Sequence, residues 1–244
     1  MLEGLLTTEA LISLATLTFL EIILGIDNII FISIVSDRLP KEQQGKGRTI
    51  GLALALLMRI GLLLGISWMV SATEPLFTLF EHEVSVRDLI LILGGLFLLV
   101  KSTTEIHTKI EGEEHESGAG KALTMSAAIL QIVLLDMVFS FDSILTAVGL
   151  TDHIPIMIAA VIISMIIMLI FAKKVSEFVN RNPTVKMLAL SFLLMIGMLL
   201  ILDGFHVHVP KGYVYFSIAF SLFVEVLNMR MRKGKRKTKI ETAH

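Results

Sequence analysis

The chain has 244 residues, of which 55% are hydrophobic, and its mean hydropathy is +0.81. This composition excludes an ordinary soluble domain and predicts an integral membrane protein. The charges nearly balance, with 21 basic and 22 acidic residues, so we expect no nucleic-acid partner, and the lack of cysteine excludes disulfides and thiolate metal ligands.

Seven apolar segments along the chain are long enough to cross a bilayer, which takes about 20 helical residues. The predicted spans are 8–36, 49–71, 86–103, 123–150, 155–174, 185–202 and 212–228. The third is short, and Pro155 opens the fifth. No lysine or arginine precedes the first span, so we expect it to be retained rather than cleaved as a signal peptide.

Basic residues are concentrated on one side of these spans. The regions that flank the C-terminal ends of the first, third and fifth spans, together with the tail at 230–244, hold 18 lysines and arginines, whereas the opposite side holds Arg87 and Lys211. In bacterial inner-membrane proteins the cytoplasmic side is the basic one. We therefore predict a multi-pass protein with its N-terminus outside and a basic cytoplasmic tail that contacts anionic lipids.

Two segments 115 residues apart resemble each other: LEIILGIDNIIFISIVSDRLP begins at Leu20, and LDMVFSFDSILTAVGLTDHIP begins at Leu135. The equivalent pairs are Glu21 with Asp136, Asp27 with Asp142, Asn28 with Ser143, Asp37 with Asp152 and Pro40 with Pro155, and a weaker echo pairs Val86 and Arg87 with Val185 and Lys186. Each half then holds three spans. An odd number of crossings forces the second half to enter the membrane from the opposite face.

The predicted fold is an all-α integral membrane protein with seven transmembrane helices. Two inverted three-helix repeats, at about 8–107 and about 122–206, and an additional C-terminal helix at about 212–228 form one transmembrane domain over 1–229. Inverted repeats of this kind place substrate sites near the bilayer centre, at the interface between the repeats.

Four acidic side chains lie inside apolar segments: Glu21, Asp27, Asp136 and Asp142. A carboxylate near the bilayer centre costs at least ~2.5 kcal/mol, so each must face the bundle interior, pair with a base, bind a cation or be protonated. Arg59 is the base that lies deep in a span, and we expect it to be the counter-ion of Asp27, Asp142 or Glu21. Buried ion pairs that only specify helix packing are the alternative, but the surplus of acids favours a cation or proton path.

The repeat suggests how these acids are arranged. The two acids of each segment are six residues apart, which places them about 120° apart around an ideal helix, too far to share one small ion. We expect Asp27 and Asn28 to meet Asp142 and Ser143 at the bilayer centre. Glu21 and Asp136 would complete that site or form separate binding positions above and below it. Such oxygen ligands favour Mn²⁺, Mg²⁺ or Ca²⁺ over Cu⁺ or Zn²⁺.

The patterns E-x-x-L-x-x-D-N at 21–28 and D-x-x-F-S-x-D-S at 136–143 resemble the twin motifs of the TerC family of integral membrane proteins. The resemblance covers the chain from Leu11 to Asn228, and it implies the branch of the family without appended cytoplasmic domains. It also implies an association with tellurium resistance and manganese export, and similarity to a wider group of inverted-repeat transporters. The metal-binding residues that it implies are Glu21, Asp27, Asn28, Asp136, Asp142 and Ser143.

Together these features predict a transporter that exports a divalent cation, with Mn²⁺ as the expected substrate, by rocking of one half against the other and with proton antiport as the expected coupling. The alternative is a non-transporting metal-binding, assembly or sensor component of a tellurite-resistance system. The sequence has no Ser-His-Asp or His-Glu-x-x-His arrangement, so we predict no enzymatic activity. The sequence does not decide whether the protein forms a homo-oligomer. It also does not decide whether metal entry or exit involves His107, His115, His206 and His208.

Overall fold

The computed structural model describes residues 7–79, 82–111, 123–148, 151 and 153–241. Its elements in chain order are α1 (Thr8–Asp37), α2 (Lys41–Leu64), α3 (Ile66–Ser71), β1 (Pro75–Leu79), β2 (His82–Ser85), α4 (Val86–Glu111), α5 (Met125–Val148), α6 (Ile154–Arg181), α7 (Pro183–Gly204) and α8 (Lys211–Glu241). Within these ranges, 7 helices are long and apolar enough to cross a membrane, which confirms the predicted fold class and number of spans.

Local sequence signals set several of the helix ends. The Thr7 hydroxyl caps α1 by accepting a hydrogen bond from the backbone N–H of Ala10 at 3.2 Å. α2 ends at Leu64 with Gly65 as its C-cap, and α3 begins directly after Gly65. Pro155 and Pro183 lie in the first turns of α6 and α7, where the missing N–H removes no helical hydrogen bond.

Several features differ from the sequence-based boundaries, and α2 begins at Lys41 and α6 ends at Arg181, outside the predicted spans. α4 runs to Glu111, and α8 continues past residue 228 to Glu241, through most of the predicted tail. Lysine and arginine are good helix formers, so a helix can continue after its apolar pattern has ended. The segment between α3 and α4 forms an antiparallel hairpin in which Thr78 lies opposite Glu83. Strands of five and four residues are too short to give a clear alternating pattern in the sequence.

The helices run in alternating directions between two ends. At one end α1 is followed by α2, and the start of α5 lies beside them because the backbone N–H of Leu123 donates to the Arg38 carbonyl at 3.2 Å. We call this end the basic face. At the other end lie β1, β2 and the start of α4, where the backbone N–H of Arg87 donates to the Ala72 carbonyl at 3.0 Å. We call this end the hairpin face.

The described helices pack in two groups. α1 packs along α6, and α2 packs along α5 and α6, and we call these four helices the bundle. α4 packs along α7, and this α4–α7 pair has far fewer contacts with the bundle than within itself. The pair is tight at one crossing, because a Cβ built on Gly95 would lie 2.5 Å from the carbonyl oxygen of Gly197. Small residues at such a crossing let the two backbones approach each other.

The packing crosses between the two halves that the sequence predicts to be repeats. α1, the first helix of one half, lies along α6, the second helix of the other half, and α2 lies along α5 in the same crossed manner. The third helices, α4 and α7, pack on each other. Reciprocal contacts of this kind are what a two-fold relation between the halves requires. The inversion of the repeats relative to the membrane stays a prediction.

Candidate cation-binding site

A cluster of polar side chains lies in the middle of the bundle. Its members, which we call the central cluster, are Glu21 and Asn28 on α1, Arg59 on α2, and Asp136 and Ser140 on α5. All five are buried, with exposed fractions of 5%, 3%, 2%, 3% and 0%. The two acids lie near the midpoints of α1 and α5, which are continuous helices on both sides of them. The fold therefore brings ionisable groups from three helices to one buried position.

Arg59 joins the two acids of the central cluster. Its Nε and Nη2 donate to the Oδ2 and Oδ1 atoms of Asp136 at 3.0 and 2.7 Å, and its Nη1 donates to Oε2 of Glu21 at 2.5 Å. A guanidinium fits a carboxylate in this two-point manner and stays charged in proteins. Ser140 Oγ also donates to Asp136 Oδ2, at 3.1 Å. Of these partners, Glu21 is among the three expected for Arg59, whereas Asp136 is not.

Asn28 adds one satisfied and one unsatisfied group to the central cluster. Its Nδ2 donates to Asp136 Oδ1 at 3.1 Å. The opposite orientation of the amide would place two acceptor oxygens against each other, so the geometry selects this one. Its Oδ1 is buried, and no donor among the described residues reaches it. A buried oxygen of this kind costs about 1–3 kcal/mol unless a donor or a cation satisfies it.

The central cluster carries more negative than positive charge. Glu21 and Asp136 are two carboxylates, and Arg59 is the base that forms ion pairs with them among the described residues. One negative charge is therefore in excess when all three groups are ionised. An uncompensated buried charge costs several kcal/mol. The cluster is thus suited to accept a further positive charge, either a metal ion or a proton.

A second acid lies closer to the hairpin face. Asp142 is about 9 Å along α5 from Asp136, and it accepts a hydrogen bond from Arg87 Nη2 at 3.1 Å. Because Arg87 lies at the start of α4, this ion pair connects the bundle to the α4–α7 pair. Asp142, Ser143 and Asp203 line a cavity of about 50 Å³ between the bundle, α7 and α8. A cavity of this size has room for a water molecule or an ion.

Other ion pairs connect the same two groups of helices at the basic face. Lys186 Nζ, near the start of α7, lies 2.7 Å from Oδ2 of Asp37 at the end of α1. Arg38 Nε lies 2.6 Å from Oε1 of Glu105 on α4. Asp37 also accepts a hydrogen bond from Asn180 of α6 at 3.0 Å. Each face of the molecule therefore holds an ion pair between the bundle and the α4–α7 pair.

The structure separates the predicted site residues into two levels. Three of them meet in the central cluster: Glu21, Asn28 and Asp136. Asp142 and Ser143 lie one level nearer the hairpin face, and the amide of Asn28 donates to Asp136 instead of to either of them. Because α1 and α5 run in opposite directions, Asn28 lies beside the earlier acid of the other half. The side chain of Asp27 lies outside the described residues.

In the described part of the chain His107 and His206 lie near helix ends, each beside an acid. His206 Nε2 lies 3.1 Å from Asp88 Oδ2, and His107 Nε2 lies 3.1 Å from Glu111 Oε2. His115 lies outside the described residues. Within the described ranges no three His, Cys, Asp or Glu side chains are grouped so that they could hold a metal ion. In this conformation the central cluster is instead a pair of carboxylates held by an arginine.

Sequence reasoning missed the roles of Arg87 and Asp203. In the sequence Arg87 stands out only as a base on the sparsely charged side and as the equivalent of Lys186, and Asp203, which is 7% exposed, lies just beyond the predicted sixth span. A signal for Arg87 exists in the repeat, where its equivalent is Lys186. Each of these two bases pairs with an acid on the first helix of the other half. The sequence carries no comparable signal for Asp203.

Known membrane proteins match nearly the whole of this chain in sequence. Residues 6–239 match the family described as the integral membrane protein TerC family. The chain is 51% identical over 234 residues to the UPF0053 inner membrane protein YoaE of Escherichia coli (strain K12). That match covers 96% of this chain but 45% of YoaE, so the chain spans about half the length of that relative.

Two further relatives have nearly the same length as this chain. The UPF0053 inner membrane protein YgdQ of Escherichia coli (strain K12) is 54% identical over 225 residues, which cover 92% of this chain and 94% of YgdQ. A UPF0053 protein of Haemophilus influenzae is 50% identical over 234 residues, which cover 96% of this chain and 99% of that protein. No solved structure matches. The chain belongs to the TerC family of integral membrane proteins, as its twin motifs predicted.

Proposed function

We propose that this protein transports a divalent metal cation across the bacterial inner membrane, with Mn²⁺ as the substrate and export as the direction. The observation that supports this best is the central cluster, a buried group with excess negative charge and an unpartnered amide oxygen among the described residues. Ionisable groups inside membrane proteins commonly mark ion and substrate pathways. Two of the relatives are named inner membrane proteins, and we propose the same membrane for this chain.

The donor atoms of the central cluster favour a hard divalent cation. Once Arg59 withdraws, the cluster offers the carboxylate oxygens of Glu21 and Asp136, the Oδ1 atom of Asn28 and the hydroxyl of Ser140. Oxygen ligands suit Mg²⁺, Ca²⁺ and Mn²⁺, and the chain has no cysteine that would favour softer metals. The choice of Mn²⁺ among these ions rests on the family resemblance.

The packing suggests which parts move during transport. Because the two halves interleave within the bundle, one half cannot rock against the other without breaking the contacts of α1 with α6 and of α2 with α5. The α4–α7 pair has few contacts with the bundle, and we propose that this pair is the moving unit. The ion pair of Arg87 with Asp142 would then open at one face, and that of Lys186 with Asp37 at the other.

Export is taken from the family resemblance, and the proposed orientation then gives the route of the cation. The basic face is cytoplasmic by the positive-inside rule, so the cation enters between the α4–α7 pair and the bundle at that end. It leaves past Asp142 at the hairpin face. Proton antiport is the proposed coupling, because carboxylates that release a metal ion can take up protons in its place.

A second candidate is a membrane component that binds metal without transporting it, within a tellurite-response system. The observation that favours it is the contact of Arg59 with both Glu21 and Asp136, which closes the central cluster by hydrogen bonds. Such a cluster would hold α1, α2 and α5 together as a static element. Stoichiometric Mn²⁺ binding without flux would select this candidate over the transporter.

Flux measurements in vesicles test the proposal. Purified protein is reconstituted, and Mn²⁺ movement is followed with an indicator dye, with protein-free vesicles as the blank. We expect Asp136→Asn to lower the flux at least about tenfold, since a loss of about 1.4 kcal/mol of ion binding suffices for that change. Glu9→Gln removes an exposed acid from the first turn of α1 and should keep the wild-type rate. Equal flux in the wild type and in Asp136→Asn would end the transport proposal, and repeating the assay under an opposing pH gradient tests antiport.

A further inference from the structure

We propose that Arg59 is an internal counter-cation, which the transported ion displaces from Glu21 and Asp136 and which returns to them once the ion has left. With Arg59 back in place one excess negative charge is left, so the metal-free protein can change conformation with a single proton in the site, in line with the proposed antiport. The inference rests on the proposed function and concerns the control of the same site. It assigns to the arginine a role in the transport cycle beyond that of holding three helices together.

Arg59 occupies the atoms that a metal ion needs. Both Oδ atoms of Asp136 and the Oε2 atom of Glu21 accept its N–H groups at 2.5–3.0 Å. A divalent cation held by the same oxygens at about 2.0–2.6 Å needs the lone pairs that these hydrogen bonds use. It would also face the guanidinium charge at close range in a buried site. The ion pair and the bound ion therefore exclude each other.

The charge of the central cluster changes little when one cation replaces the other. With Arg59 in place, the two carboxylates leave one excess negative charge. With a divalent ion in place and Arg59 withdrawn, the carboxylates are neutralised. With neither, two buried negative charges stand uncompensated, and each such charge costs several kcal/mol. The empty site without its arginine is therefore the state that the protein must avoid during its return.

The other crossing of the two halves packs an apolar side chain beside the position equivalent to Ser140. α6 lies against α1 as α2 lies against α5, and it presents Met168, which is 1% exposed, to Gly25. Gly25 follows Glu21 by four residues, as Ser140 follows Asp136. A methionine thus packs at a crossing where the other half carries a charged side chain. This difference favours a role for Arg59 in the chemistry of the site.

Two modes of Mn²⁺ movement test the inference in reconstituted vesicles. In exchange mode, radioactive Mn²⁺ moves between equal Mn²⁺ concentrations, so the protein always returns loaded. In net mode, Mn²⁺ moves into Mn²⁺-free buffer, so the protein must return without a metal ion. We expect Arg59→Gln to keep exchange within about threefold of the wild type and to lose net movement at least about tenfold. Arg48→Gln, an arginine of the same helix outside the central cluster, should change neither mode.

A binding measurement keeps the inference testable if Arg59→Gln does not fold. Arg59→Lys keeps the charge but cannot make the two-point contact with Asp136, so the ammonium is displaced more easily. We expect the dissociation constant of Mn²⁺, measured by calorimetry in detergent, to fall at least about threefold in this variant. An unchanged or weaker affinity of Arg59→Lys for Mn²⁺ overturns the inference. A folded Arg59→Gln that loses both transport modes equally, or keeps both equally, also overturns it. Absence of Mn²⁺ movement by the wild type in both modes instead overturns the proposed function itself, and the inference with it.

Discussion

The substitution Glu21→Gln tests the excess charge of the central cluster. The glutamine can still accept the hydrogen bond that Arg59 Nη1 donates to this position, so the contacts of the cluster survive while its net charge falls to zero. Loss of charge assistance in that hydrogen bond costs about 1 kcal/mol, and a buried amide costs about 1 kcal/mol more. Against this, an ionised carboxylate at the bilayer centre costs ~2.5–3.5 kcal/mol.

The difference is a net stabilisation on the order of 1 kcal/mol for the ion-free variant, which for a chain of this size raises Tm by about 2–4 °C. With bound metal we expect the wild type, not Glu21→Gln, to have the higher Tm. Mn²⁺ at about 100 times its dissociation constant should stabilise the wild type by about 2.7 kcal/mol. Glu21→Gln lacks one of the two carboxylates and should gain much less from the metal.

The single tryptophan of the chain supplies the signal for this measurement. Trp68 on α3 packs edge-on against Phe141 of α5, with ring centroids 6.4 Å apart, so its fluorescence reports on the packing of the helix that carries Asp136. Thermal scans in detergent with a chelator give Tm for the ion-free protein, and the same scans with Mn²⁺ give the shift. Glu9→Gln should stay within about 1 °C of the wild type, as exposed substitutions usually do.

Two outcomes would refute the reasoning at different points. A lower Tm for ion-free Glu21→Gln would show that Arg59 needs both carboxylates, and the cluster would then carry no destabilising excess charge. An equal Mn²⁺ shift in both proteins would remove Glu21 from the ion site. Arg59→Met gives the opposite perturbation, since it leaves both carboxylates without their base, and it should destabilise the protein by about 3–5 kcal/mol.

Two further predictions concern the α4–α7 pair. Gly95→Ala places a Cβ 2.5 Å from a carbonyl oxygen of α7, so it should destabilise the protein by about 1–3 kcal/mol in the same thermal assay. At Gly61 an added Cβ meets nothing within 4 Å, so Gly61→Ala should not destabilise the protein. Equal effects of the two substitutions would contradict the close crossing. Arg87→Gln removes the ion pair at the hairpin face and should speed thiol labelling of a Ser143→Cys reporter at least about threefold. Lys186→Gln acts at the other face and should leave that rate unchanged, and equal labelling in both variants would argue against separate gates.

The spans could be predicted from the sequence because each is a long apolar run, and the two-fold pattern could be predicted because its motifs repeat at a fixed distance. The break at Gly65 and the hairpin of β1 and β2 were not predicted. The break involves one residue and the strands are short, so neither gives a periodic pattern that distinguishes it from a loop. The family could also be predicted, since the twin motifs lie in the region that the family match covers.

The site could be predicted only in part. The cost of burying a carboxylate predicted that Glu21 and Asp136 lie inside the bundle. The partner of Arg59 could not be predicted, because it depends on how α2 is rotated and displaced relative to α5. The packing of α1 and α4 against α5 likewise sets Asn28 beside Asp136 and Arg87 beside Asp142. No local pattern in the sequence encodes an offset between two helices that lie far apart along the chain.

The two levels of acids suggest a division between binding and gating. The central cluster lies within the interleaved bundle, where contacts of α1 with α6 and of α2 with α5 resist motion. Asp142 lies instead against the α4–α7 pair, through Arg87 and beside a small cavity. A movement of the pair could therefore change access at either face while the carboxylates of the cluster keep their relative positions. Since a preorganised set of ligands holds a cation more tightly than one that must reassemble in every cycle, this arrangement favours the pair over the halves as the moving unit.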